Sequence, residues 1–251
     1  GTSVPLAVLT MQMLADSAAT FDRPETIAQR LASVVDRSPL RQHPFDHVYM
    51  EELFAPDLYR ALVTQLPAAS HFHQLVHRDA LRPDGSSTRL RMYLYPELLR
   101  ELPDDARKVW VPVAEALCAP ELELAFKLKF SSALEQRFKK PVDQIRLYPI
   151  PILLRDAPGY RIGIHADVPS KAITVQFYLP PDESQRRIGT IFHNGRDGDA
   201  ADRTRQMPFM PSTGYAFPVS GTKSWHSAAQ TTESDGERVS IMLTYYVAEE
   251  P

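Results

Sequence analysis

Residues 159–179 read Gly159-Tyr160-Arg161-Ile162-Gly163-Ile164-His165-Ala166-Asp167, and then, past Val168-Pro169-Ser170, Lys171-Ala172-Ile173-Thr174-Val175-Gln176-Phe177-Tyr178-Leu179. The second half is a strand by its period. Thr174, Gln176 and Tyr178 alternate with Ile173, Val175, Phe177 and Leu179, so one face carries polar groups and the other is apolar. Residues 238–247 repeat the pattern, with Arg238, Ser240, Met242 and Thr244 against Val239, Ile241, Leu243 and Tyr245. Two such strands fit a barrel with polar ligands inside and helices packed outside. Ile145–Leu154, Thr190–His193 and Gly214–Val219 are shorter strand candidates of the same region.

Upstream of about residue 142 the character is mostly helical. Residues 4–19, 24–36, 55–66, 104–118 and 129–139 carry helical signals, and Pro24-Glu25 and Ala55-Pro56-Asp57 are favourable starts. Phe45–Met50 is β-like, and 71–95 is mixed around the polar turn Pro83-Asp84-Gly85-Ser86-Ser87. The expectation is an α+β protein with a helical part over residues 1–141. It packs on a β-barrel core over 142–251, and the two form one unit without a flexible linker.

Composition bounds the function. In 251 residues, 43% hydrophobic and 24% charged content is that of an ordinary globular chain. A formal charge of −3 argues against nucleic acid as the partner. No run approaches the roughly 18 apolar residues of a membrane span. Val4–Leu14 lacks the basic start and cleavage site of a leader, so a cytoplasmic location is expected. Cys118, the single cysteine, cannot form an internal disulfide and reads as a small apolar side chain at the end of a helix.

The chemistry concentrates at His165-Ala166-Asp167. On an extended chain Ala166 points away, so the imidazole and the carboxylate can face one point. His226, just before the last strand, is the best third ligand. Two histidines and one carboxylate leave positions open on Fe(II) for a co-substrate and O₂. The helical His-Glu-x-x-His of zinc hydrolases is absent. Arg238 follows His226 by twelve residues and shares a strand face with Ser240. A guanidinium fork beside a hydroxyl suits a carboxylate. A co-substrate that chelates iron at one end and ends in a carboxylate, such as 2-oxoglutarate, meets both demands.

In this order, Gly159–Asp167, Thr174–Leu179, Gly189-Thr190-Ile191-Phe192, Gly214–Phe217, Trp225-His226 and Arg238-Val239-Ser240 resemble the Fe(II)/2-oxoglutarate-dependent oxygenase superfamily, with prolyl-hydroxylase-like features. The resemblance implies a double-stranded β-helix, that is, an eight-stranded jelly-roll barrel. It also implies His165, Asp167 and His226 as iron ligands and Arg238 and Ser240 as the carboxylate clamp. Tyr178 would add a hydrogen bond to that carboxylate, and Tyr148 would touch the co-substrate. The implied reaction consumes O₂ and 2-oxoglutarate, releases succinate and CO₂, and hydroxylates a C–H bond. Halogenating relatives replace the carboxylate ligand with a small residue. Asp167 therefore favours hydroxylation, desaturation or ring formation. The expected substrate is a small molecule, an amino-acid derivative or natural-product intermediate. A protein side chain is the first alternative, and a non-enzymatic metal- or ligand-binding barrel the second.

Two features sit outside this scheme. His71, His73 and His77 invite a second metal reading, but no nearby carboxylate or cysteine completes it. Residues 194–211 form a long loop with His193, Arg196, Arg203 and Arg205 in or beside it, which could be a lid gripping an acidic substrate.

Overall fold

The computed structural model describes residues 23–248; the helix expected at 4–19 lies outside them. Six α-helices follow in this part: α1 (Pro24–Arg37), α2 (Pro56–Thr64), α3 (Pro96–Leu99), α4 (Asp104–Leu117), α5 (Pro120–Lys129) and α6 (Ser131–Phe138). Four of them begin with proline in the first turn, where the missing N–H costs nothing. α1 buries Ile27, Ala28, Leu31, Ala32, Val34 and Val35, a single helical stripe.

The described residues also form ten strands: β1 (Val48–Met50), β2 (His73–Gln74), β3 (Arg89–Tyr93), β4 (Leu147–Asp156), β5 (Ile162–His165), β6 (Lys171–Tyr178), β7 (Ile191–Phe192), β8 (Gly214–Pro218), β9 (His226–Ala228) and β10 (Arg238–Val247). They form an antiparallel seven-stranded sheet in the order β1-β8-β6-β10-β4-β3-β2 and a three-stranded sheet in the order β5-β9-β7. The eight strands expected of the barrel are therefore seven, β4–β10, and ladder pairing does not join the two sheets into a ring. Residues 1–141, expected to be mainly helical, supply three strands to the larger sheet. The edge of that sheet beside β4 would otherwise expose unpaired backbone groups, and β3 covers it along five register pairs.

The two faces of the large sheet divide as their period demands. Val239, Ile241, Leu243 and Tyr245 of β10 join Ile173, Val175 and Phe177 of β6 in the main core, against Leu31, Trp110, Leu117 and Phe126 of the helices. The opposite face turns toward the small sheet. At one end Tyr215 and Phe217 pack with Phe192 and Phe209 to fill the gap between sheets. The rest of that gap is open and forms the site.

Close approach, not a positive φ, explains Gly189. A Cβ there would stand 1.7 Å from the carbonyl oxygen of Met207. Gly189→Ala should therefore lower stability by about 1–3 kcal/mol or more, the range for forced overpacking. A lowered urea midpoint with unchanged slope would show it.

Candidate active site

His165 ends β5 and His226 begins β9, and the two residues are register partners across that antiparallel pair. Their rings consequently face each other with centroids 4.2 Å apart. Asp167, two residues past His165, turns its Oδ1 to both. The Nε2 atoms of His165 and His226 each lie 3.6 Å from it. That is beyond hydrogen-bond range and suited to ligands sharing one ion. Among the described residues these three are the one His/Cys/Asp/Glu group that could hold a metal ion.

Hydrogen bonds behind the triad set its chemistry. His165 Nδ1 lies 2.8 Å from the Gly163 carbonyl and His226 Nδ1 lies 2.8 Å from the Ser224 carbonyl. A carbonyl only accepts, so each Nδ1 carries the proton, and in the neutral ring Nε2 holds a bare lone pair. Thr174 of β6 donates to Asp167 Oδ2 at 2.6 Å, which leaves Oδ1 for the centre. Three acceptors thus converge with no donor between them, an arrangement that suits a cation. Burial would raise the Asp167 carboxyl, but the two imidazoles outweigh it and hold it well below the usual carboxylate range. For His165, burial would lower the pKa, and Asp167 and the Gly163 carbonyl together raise it. Thr174→Val should weaken metal binding about 10- to 100-fold, as loss of an outer partner does. Competition titration with a chelating dye would measure it.

Arg238 opens β10 and is buried to 1% exposure. Its Nε donates to the Ile188 carbonyl at 3.1 Å, one terminal nitrogen to Thr190 Oγ1 at 3.3 Å, and the other to Asp156 Oδ2 at 3.4 Å. Asp156 is fully buried and already held by Arg89, whose Nε and terminal nitrogen reach its two oxygens at 2.7 and 2.9 Å. Arg89, Asp156 and Arg238 are direct cross-strand neighbours on β3, β4 and β10. Tyr160 lies against both guanidiniums, 4.4 and 5.8 Å from its ring centre. Two largely buried guanidiniums share one carboxylate, so one positive charge is left over, and both guanidiniums line the cavity.

Arg89 and Asp156 belong to no short motif, and Tyr160, though inside the stretch Gly159–Asp167, carries no role in that pattern; reading along the chain missed all three. A charged residue ending a strand that is otherwise Ile- and Leu-rich was the one available hint, at Asp156.

The other predicted residues divide. Ser240 shares Arg238's face but does not reach the cavity, being fully buried; its hydroxyl accepts from Gln176 Nε2 at 2.8 Å. Gln176 Oε1 accepts from Tyr215 at 2.7 Å and Thr190 at 3.2 Å, which steadies the Thr190 that meets Arg238. The Tyr178 hydroxyl accepts from the Thr190 N–H at 3.0 Å and donates to the Met207 carbonyl at 3.3 Å, so the backbone occupies it. Tyr215, not among the predicted residues, lines the cavity and meets Thr190 at 3.2 Å. Tyr148 lies eight residues along β4 from Asp156, roughly 26 Å at strand rise. There it stacks on Tyr246, away from Arg238.

His73 is on β2 and His77 caps a 3₁₀ turn, so they do not align on a helix. Arg203 donates to the Arg187 carbonyl and Arg205 meets His43, and neither borders the cavity. His193 is buried with its Nε2 2.7 Å from the Ser227 hydroxyl. Cys118 is exposed just past α4. No helix among the described residues is long and apolar enough to cross a membrane.

The triad and Arg238 border one cavity of about 1290 Å³ between the two sheets. No family model and no curated protein matches the chain. Solved structures do. A prolyl-4-hydroxylase from Pseudomonas putida superposes with a TM-score of 0.54 at 15% identity, over 87% of this chain and all of that one. A prolyl 4-hydroxylase from Phytophthora capsici gives 0.54 at 14% identity, over 90% of this chain and 65% of that one. The dioxygenase for auxin oxidation in rice gives 0.51 at 13%, over 90% and 79%.

The chain has the fold of the 2-oxoglutarate oxygenases.

In this oxygenase fold the double-stranded β-helix is the pair of facing sheets, and the converging acceptors lie between them.

Proposed function

We propose that the chain is an Fe(II)- and 2-oxoglutarate-dependent dioxygenase that hydroxylates a C–H bond of a small molecule. The observation that carries this reading is the bare meeting point of His165 Nε2, His226 Nε2 and Asp167 Oδ1, with a surplus guanidinium charge in the same cavity. Three ligands on one side of an ion leave room for a chelating co-substrate and O₂. When bound, iron supplies the oxidising chemistry: substrate C–H, 2-oxoglutarate and O₂ become C–OH, succinate and CO₂.

The residues do the rest. His165, Asp167 and His226 would hold the metal, and Thr174 and the Gly163 and Ser224 carbonyls orient them. Arg238 would take the distal carboxylate, with Thr190 and Tyr215 beside it. Ile152, Leu154 and Met242 make an apolar floor that keeps water from the reacting carbon.

The test is Fe(II)-dependent succinate formation from 2-oxoglutarate under O₂, with and without candidate small molecules. Turnover that requires both Fe(II) and 2-oxoglutarate is the expected result. No succinate, together with no change in the iron's absorption on adding 2-oxoglutarate, would overturn the reading and favour a binding protein.

A further inference from the structure

We propose that the substrate of this site carries a phosphate group, bound by the cations that line the cavity: Arg78, Arg91, Arg161 and Lys171. This deepens the oxygenase reading and rests on it for the site's location.

The inference follows from the charges left once the site's own needs are met. Fe(II) and the 2-oxoglutarate dianion, added to Arg89, Arg238, Asp156 and Asp167, sum to zero. The remaining ions along the cavity are Arg78, Arg91, Arg161 and Lys171 against Asp79 alone. None of these four cations makes an ion pair among the described residues. Asp79 has structural work: its Oδ2 accepts the Gly163 N–H at 2.8 Å, which ties the turn that carries Arg78 to the strand that ends in His165.

Each cation comes from a different element: Arg78 from a 3₁₀ turn, Arg91 from β3, Arg161 from the approach to β5, Lys171 from the start of β6. Four like charges lining one cavity favour an anion inside it. The surplus is three charges, more than one carboxylate neutralises and a fit for a phosphate with its two charges. The chain as a whole is not basic, with a formal charge of −3. A cation-lined cavity on an acidic protein selects a small anion over a nucleic acid. The apolar floor of Ile152, Leu154 and Met242 suits the carbon skeleton attached to it. Tyr93 is sandwiched between Tyr95, stacked on it at 5.1 Å, and the guanidinium of Arg91, 4.7 Å from its ring centre, which holds Arg91 in place in the cavity lining.

The test is binding to the full chain loaded with Fe(II) and 2-oxoglutarate under argon, by calorimetry and ³¹P line width. The probes are glucose 1-phosphate with glucose, and uridine 5′-monophosphate with uridine. At least one phosphorylated probe should bind about tenfold or more tighter than its partner, the worth of one charge-assisted contact. Arg91→Gln and Arg161→Gln should each erase most of that gain. Which pair shows it distinguishes a sugar phosphate from a nucleotide. Should a variant fail to fold, wild-type salt dependence decides, because affinity must fall as NaCl rises. Equal affinities, no binding of either phosphate, or a flat salt response overturns the proposal. The absorption of the loaded sample separates the two readings. An Fe(II)·2-oxoglutarate band without phosphate preference sinks the anion site alone, and phosphate preference without the band sinks the oxygenase alone.

Discussion

A chain carrying Asp167→Ala should bind Fe(II) more than about 100-fold more weakly than wild type, beyond the loss expected from removing an outer partner. It should also form no succinate above background. Asp167 is the sole anion at the meeting point, and both imidazole Nε2 atoms face its Oδ1 at 3.6 Å. Removing it leaves two neutral nitrogens to hold a dication, and it frees the Thr174 hydroxyl that was bound to Oδ2. The fold should survive, because Asp167 lies outside the strands and outside the hydrophobic core. Equilibrium dialysis against Fe(II) under argon, beside a urea transition, reads both quantities. Wild-type iron affinity in this variant would remove Asp167 from the site.

The second large effect separates binding from folding in the Arg89–Asp156–Arg238 row. Asp156→Asn should lower stability by about 3–5 kcal/mol, because two fully or nearly buried guanidiniums lose their only carboxylate. Arg238→Met should behave differently. Asp156 keeps its two short bonds to Arg89, so stability should change little. The KM for 2-oxoglutarate should instead rise about 30-fold or more, with a smaller change in kcat. Added 2-oxoglutarate should restore part of the stability lost in Asp156→Asn, by supplying the missing anion. Urea transitions with and without the compound, alongside succinate kinetics, would show the split. A large stability loss in Arg238→Met with unchanged KM would mean that Arg238 is a structural cation and that the carboxylate binds elsewhere.

Much of the site was readable along the chain because its parts are local. His165 and Asp167 are two residues apart on extended backbone, and period two alone puts them on one side. The strand faces of 171–179 and 238–247 were legible for the same reason, and the helix-facing and cavity-facing sets are those their alternation implied. Tyr178 shows the limit of such reading. It is on the inner face as its period requires, but its hydroxyl is consumed by Thr190 and Met207, partners that no local pattern names. Tyr148 fails differently, since its face is inward but its strand is ten residues long and it stands at the far end.

By itself, then, the sequence determined the longer helices, the faces of β6 and β10 and the choice of His165, Asp167 and His226 as a group that could hold a metal, because each depends on the period of one element or on residue chemistry. The tertiary structure alone decided that Arg89 and Arg238, nearly 150 positions apart, would flank Asp156, that Tyr215 would border the cavity, and that β3 would bring Arg91 to its lining. Those outcomes depend on strand order and register, which are set by how whole faces bury against one another and so leave no trace in any single stretch of the chain.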